Sequence, residues 1–140
     1  MQEITLDVHF RVMTGEGPVD PEAYVGYDDF VELVAVRVPP NGFVLGRSVE
    51  RVCVPERMLG VVFACSTLLR CGLAFGCGFV QPGFEGHLTL ELGNLNKHRA
   101  LRLHVGKPVA HLRTFPATDL PRYAGRYAEG NPMGPRGARQ

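Results

Sequence analysis

The stretch "GFVQPGFEGHLTLELGN", residues 78 to 94, decides how the rest of the chain is read. It opens with two turn signals, Pro82-Gly83 and Glu85-Gly86. It then sets Leu88, Leu90 and Leu92 in alternation with His87, Thr89 and Glu91. Successive side chains of an extended strand point to opposite faces, so this spacing predicts a half-buried β-strand entered from a tight turn. The three leucines form its inner face. On spacing alone Glu91 belongs to a solvated outer face, the ordinary place for a strand carboxylate.

The same period of two recurs along the chain. Ile4, Leu6, Val8, Phe10 and Val12 alternate with Thr5, Asp7, His9 and Arg11. FVELVAVRV (30–38) is rich in β-branched residues and is stopped by Pro39-Pro40, which cannot continue a ladder. FVLGRSVERVCVP (43–55), MLGVVFAC (58–65), LAFGCGFVQ (73–81), ALRLHVG (100–106) and PVAHLRTF (108–115) read as further short strands. The glycines of LAFGCGFVQ mark bulges or a close backbone approach. Residues 14 to 29 are acidic and turn-rich and read as a loop. STLLRCG (66–72) is the one helix-like turn, with Ser66 placed to cap it and Gly72 to end it. The expected fold is therefore all-β, a barrel or jelly roll of short antiparallel strands with one short helical turn.

A chain of 140 residues suffices for one domain with its own core. Residues 1–115 carry the strands. Residues 116–140 carry arginines, glycines and prolines with almost no aliphatic side chain, and are expected to form a mobile tail. Fifteen Lys and Arg against fourteen Asp and Glu leave no global field to recruit nucleic acid or an anionic membrane. No apolar run approaches a membrane span, and MQEITLDVHF lacks the features of a signal peptide, so a cytoplasmic location is expected. Cys53, Cys65, Cys71 and Cys77 form no CxxC pair and are expected to be reduced and buried.

Three groups could carry chemistry. Glu91 is one. Ser66, Thr67 and Arg70 are the second: two hydroxyls and an arginine on one turn can cradle an anion, or can be an ordinary cap beside a surface arginine. The third is the tail, where Tyr123 and Tyr127 beside Arg122 and Arg126 can stack on a base and grip phosphates, or simply end the chain. The five histidines form no HxxxH or HxH pair, and no metal site is expected. No nucleotide-loop or nucleophile-elbow motif is present.

Taken in order, these segments resemble the family of trimeric dCTP deaminases and dUTPases. ITLDVHFRV is similar to the family's "SIDLRLG-x-x-FRV" strand, and PPNGFVLGRSVERV to "Pro-Gly-x-Phe-x-Leu-Gly-x-Thr-x-Glu". CSTLLRCGL resembles "RSSLARLGL", and GFVQPGFEGHLTLELGN resembles "GFIDPGF-x-GHITLEL-x-N". LRLHVGKPVAHLRTF is similar to "L-x-PG-x-x-I-x-QL", and RYAEGNPMGPRGAR to the tail "KYQGQ-x-GPTPSR". GHLTLEL and the tail place the chain nearer the deaminase branch. The resemblance implies a dUTPase-like distorted barrel, assembled as a homotrimer with its sites between subunits. It further implies a deoxycytidine nucleotide as substrate, deaminated to the uracil form without zinc, with Mg2+ carried only by the triphosphate.

By the same resemblance Glu91 is the general acid/base. Ser66, Thr67 and Arg70 bind phosphate and complete the active site, Gln81 lines it, and Arg126 and Tyr127 close over the nucleotide. The departures matter as much. Cys65 stands where the family has a phosphate-binding arginine, removing a charge-assisted contact. Gln81 replaces an aspartate that orients the hydrolytic water in dUTPases, which weighs against pyrophosphatase activity. LAFGC replaces a longer "LLTHSTA" segment, and the deaminases' N-terminal helical segment is lacking. These departures keep open a catalytically lapsed trimer that binds nucleotide or serves a structural or regulatory role, and, behind it, a dUTP pyrophosphatase.

Overall fold

The computed structural model describes residues 1–13, 27–76 and 78–124. Its elements are β1 (Gln2–Met13), β2 (Tyr27–Glu32), β3 (Ala35–Val38), β4 (Phe43–Cys53), β5 (Met58–Ala64) and α1 (Ser66–Arg70), followed by β6 (Leu73–Phe75), β7 (Phe79–Val80), β8 (Glu85–Asn94), β9 (Leu101–His104) and β10 (Pro108–Pro116). β1 is the spine. Its first residues pair with β10, its second half pairs with β2 on the same edge, and β4 lies along its other edge. The large sheet therefore runs β6-β8-β4-β1-β10-β5-β7, with β2 attached to β1. All of its pairings are antiparallel.

The sheet curls because its long strands break register where they would otherwise run flat. β1 and β4 slip between Leu6 and Phe10, and β4 and β8 slip between Arg47 and Arg51. Such bulges bend a strand and increase its twist. Buried Ser48 repairs the break: its hydroxyl accepts the Leu88 N–H at 2.8 Å and donates to the Glu50 carbonyl at 2.8 Å. The Glu50 carboxylate in turn accepts the Thr5 N–H at 2.8 Å. The "SVE" of the fourth strand is thus a backbone staple.

Ile4, Leu6, Phe10, Val44, Leu88, Leu90 and Leu92 fill the concave side. The ribbon of β3 and β9 adds Val36, Val38, Leu101 and Leu103 to the same core. Each buried leucine stabilises the fold by about 1.5–3 kcal/mol, and this accounts for the strict alternation of β8.

Four expectations are corrected, the first being the loop read over 14–29: residues 27–29 open β2, held there by pairing with β1. The segment 30–38 is two strands: Leu33 N–H bonds to Val8 while Val34 swings out, so β2 pairs with β1 and β3 with β9. The segment 73–81 likewise divides, β6 joining β8 and β7 joining β5. Among the cysteines described, all are free, but Cys53 and Cys71 are exposed, the former because it takes an outward position of β4. Arg11, on the polar side of β1, is buried at 4% exposure.

Candidate functional site

The Pro82-Gly83 turn closes through a Phe84 N–H to Gln81 carbonyl bond of 3.1 Å, with Gly83 at a φ of 76° that glycine adopts without strain. From it β8 runs with leucines inward and His87, Thr89 and Glu91 outward. Leu45 of β4 stands opposite Glu91, and Arg47 opposite Thr89. On its other edge β8 meets β6, which runs from Leu73 opposite Asn94 to Phe75 opposite Leu92. The Gly76 N–H then bonds to the Glu91 carbonyl at 3.0 Å.

At that point the Glu91 side chain lies directly against Gly76. A β-carbon placed on Gly76 would lie 2.8 Å from Glu91 Oε2 and 2.9 Å from Glu91 Cβ, which only glycine permits. Glu91 as a whole keeps solvent contact, while its carboxyl group is partly covered where it lies beside Gly76. Partial desolvation pushes its pKa above the ordinary carboxylate range, against a weaker hydrogen bond from its own backbone. A carboxyl group poised this way, and still reachable from solvent, can both take up and return a proton.

α1 carries the second group, and Ser66, Thr67 and Arg70 are all exposed on it. Here the structure corrects the cap: the helix begins at Ser66 itself, Cys65 is the capping residue, and no side chain bonds to the free N–H groups. Gly72 follows at a φ of 93°, the left-handed ending expected of it. Burial, helped by the charge of Glu3, pushes the Cys65 thiol up, so it is neutral at physiological pH.

α1 leads directly into β6, and both are tied to the far end of β8, the end nearer Glu91. Asn94 is buried and donates its amide to the carbonyls of Val38, Pro39 and Arg99 at 3.1, 3.1 and 2.8 Å. Its Oδ1 accepts the Asn96 side-chain amide at 2.7 Å, and that amide also donates to the Cys71 carbonyl at 2.9 Å. Sequence spacing did not single out either asparagine as functional; the signal available was a polar residue ending the most regular apolar strand. Gln81, by contrast, is exposed on the turn at the opposite end of β8 from α1. Arg126 and Tyr127 lie outside the described residues.

A separate polar cluster lies on the outer face of β1 and β4. Asp7 accepts hydrogen bonds from His9 at 3.0 Å and from Arg47 Nε at 2.7 Å, and His9 reaches Glu32 at 3.2 Å. Burial raises the Asp7 pKa, but the bonds from His9, Arg47 and the Val8 N–H outweigh it and hold it below the usual range. Among the described residues no three His, Cys, Asp or Glu side chains are grouped so as to hold a metal ion. None of the described helices is long and apolar enough to cross a membrane.

A curled antiparallel sheet with one short helical turn is the architecture of the dUTPase-like barrels. The chain belongs to the dCTP deaminase-like family, whose pattern it matches over residues 3–116. It is 31% identical over 132 residues to a dCTP deaminase of Erythrobacter litoralis, covering 91% of this chain and 71% of that one. Of two other dCTP deaminases it matches, it spans only 51% of the length. The 2′-deoxycytidine 5′-triphosphate deaminase of Agrobacterium tumefaciens has the same fold, with a TM-score of 0.66 at 19% identity, over 86% of this chain and 42% of that one. Native EIAV dUTPase follows at 0.55 and 18% identity, over 84% and 93%.

Proposed function

We propose that this protein is a hydrolase that deaminates dCTP to dUTP and ammonia without zinc, with Glu91 as its general acid/base. The observation that carries this reading is the seat of Glu91: a carboxyl group lying beside Gly76, its pKa raised by burial, on the strand whose GHLTLEL resembles the family's motif. In carboxylate form Glu91 takes a proton from a water whose oxygen adds to C4 of the cytosine ring, and passes it to the ring nitrogen N3. It then moves the remaining hydroxyl proton to the amino group. The C4–N bond breaks, ammonia leaves and a carbonyl forms. A carboxyl pKa nearer neutrality suits both transfers.

The exposed hydroxyls of Ser66 and Thr67 and the guanidinium of Arg70 hold the phosphates, and Mg2+ arrives with the triphosphate as part of the substrate. Three chains form the working unit, each site combining Glu91 of one subunit with α1 of another, in the cytoplasm. Residues 1–115 make the barrel and residues 116–140, with Arg126 and Tyr127, close over the nucleotide.

A second reading, a trimer that binds nucleotide without turning it over, is favoured by Cys65, whose neutral thiol supplies no positive charge to a phosphate. Product analysis separates the readings. Incubation with Mg·dCTP should release ammonia and dUTP in equal amounts. Binding without product would support the lapsed trimer, and dUMP with pyrophosphate from Mg·dUTP would support a pyrophosphatase, which Gln81 disfavours.

A further inference from the structure

α1 raises a physical problem. It has five residues, no side-chain cap and no fully buried side chain, with Leu68 alone half-buried against the core, and a helix so short does not hold its own shape in water. Yet the phosphate-binding role proposed above requires Ser66, Thr67 and Arg70 to be fixed. At the start of the turn there is one anchor, the Cys65 N–H to Val109 carbonyl bond of 2.9 Å. At its end two consecutive carbonyls, those of Cys71 and Gly72, are taken by two consecutive residues, Asn96 through its side chain and Leu95 through its backbone N–H, each at 2.9 Å. The Asn96 side chain also packs on Gly72 so closely that a β-carbon there would lie 2.5 Å from its Nδ2.

We infer that Asn96 is a positioning residue for the proposed reaction: it fixes the turn bearing Ser66, Thr67 and Arg70 to the end of β8 in its own subunit, so that their side chains keep one geometry towards the phosphates. Its own place is fixed by three further bonds. Its backbone N–H and its side-chain amide both donate to Asn94 Oδ1, at 2.9 and 2.7 Å, and its carbonyl accepts the Asn41 N–H at 3.1 Å. Asn94 is locked by the three carbonyls it serves. The clasp therefore links α1 to the β3–β4 turn and the end of β8 at once. It touches no nucleotide and acts on one only through α1. The inference rests on the phosphate-binding role of that turn.

The test uses two substitutions in the full chain. Asn96→Asp keeps the shape but removes the donor, and places a charge beside Asn94 Oδ1. Asn96→Ala leaves the Cys71 carbonyl where water reaches it, so that it folds even if the aspartate variant does not. Leu95→Ala, which alters only an exposed side chain, is the control. Inorganic tripolyphosphate is the binding probe and Mg·dCTP the substrate. Both Asn96 variants should weaken tripolyphosphate binding and raise the KM for Mg·dCTP about tenfold or more, as expected for displaced binding groups. kcat and the pH dependence set by Glu91 should change little, and amide exchange should accelerate over residues 66–72 but not along β8. Unchanged tripolyphosphate affinity in a folded Asn96 variant, or an equal loss in Leu95→Ala, would overturn the inference alone. Failure of the unaltered protein to bind tripolyphosphate would overturn the phosphate role of α1 and the inference with it.

Discussion

The backbone of Gly76 is the surface on which Glu91 rests, leaving 2.8 Å between Glu91 Oε2 and the position a β-carbon of residue 76 would take. A methyl group cannot share that space, and Gly76 itself is exposed, so the cost falls on the carboxylate and on the pairing of Gly76 with β8 rather than on the core. Gly76→Ala should lower kcat for dCTP about 10- to 100-fold, the scale expected of a reacting group displaced by roughly an ångström. Its melting temperature should fall as well, because Glu91 Cβ, 2.9 Å from that position, is fixed to β8 and the pairing of the two backbones must give. Kinetics and melting of the one variant check both halves.

The raised pKa of Glu91 has a stability consequence whose sign is fixed. Folding disfavours its charged form, so its contribution is fully present below the ordinary value of about 4.3 and is lost as pH rises through the folded value. Glu91→Gln escapes that loss. Urea unfolding at several pH values should show the variant gaining on the native protein as pH rises from about 4 towards neutrality. A gap that stays constant, or closes, contradicts the desolvated carboxyl.

Asp7 behaves in the opposite sense. Its pKa is held low by His9 and Arg47, so its contribution is present above about 3.9 and lost as pH falls through the folded value. Asp7→Asn should cost about 1–3 kcal/mol at neutral pH, since Arg47 and His9 lose a partly buried charged acceptor. The difference should shrink in acid. Equal stability of the two proteins at pH 7 would show that the cluster is ornamental to the fold.

Ser48→Ala leaves the Leu88 N–H without its acceptor and the Glu50 carbonyl without its donor at the bulge of β4. Because Ser48 is fully buried, no water replaces the hydroxyl, and a loss of about 1–3 kcal/mol is expected in denaturant unfolding.

The strands were legible because alternation is a local property: each leucine of β8 reports its own face without reference to any partner. What connects the strands was not. Nothing within FVELVAVRV marks the bend at Leu33 and Val34, since the two halves separate only because β1 and β9 compete for them. Glu91 reads as a solvated strand carboxylate until Gly76, fifteen positions earlier, is brought against it. Gly76 was readable as a close approach, but not as an approach to that residue. The Asn96 bond to Cys71 spans twenty-five positions and follows no period, so spacing could not reveal it. The cap failed for a local reason: the hydroxyl of Ser66 lies one residue too late, on the first residue of the helix.

The most direct test of the account is the turnover of Mg·dCTP by the native protein and by Glu91→Gln, with ammonia and dUTP measured together and the oligomeric state followed by light scattering. Glutamine keeps the shape of the side chain and removes its ability to carry a proton. The account predicts equimolar ammonia and dUTP from the native trimer, and a fall in kcat of at least about 100-fold in a variant that remains trimeric and still binds the nucleotide. Undiminished deamination by the Glu91→Gln trimer would contradict it.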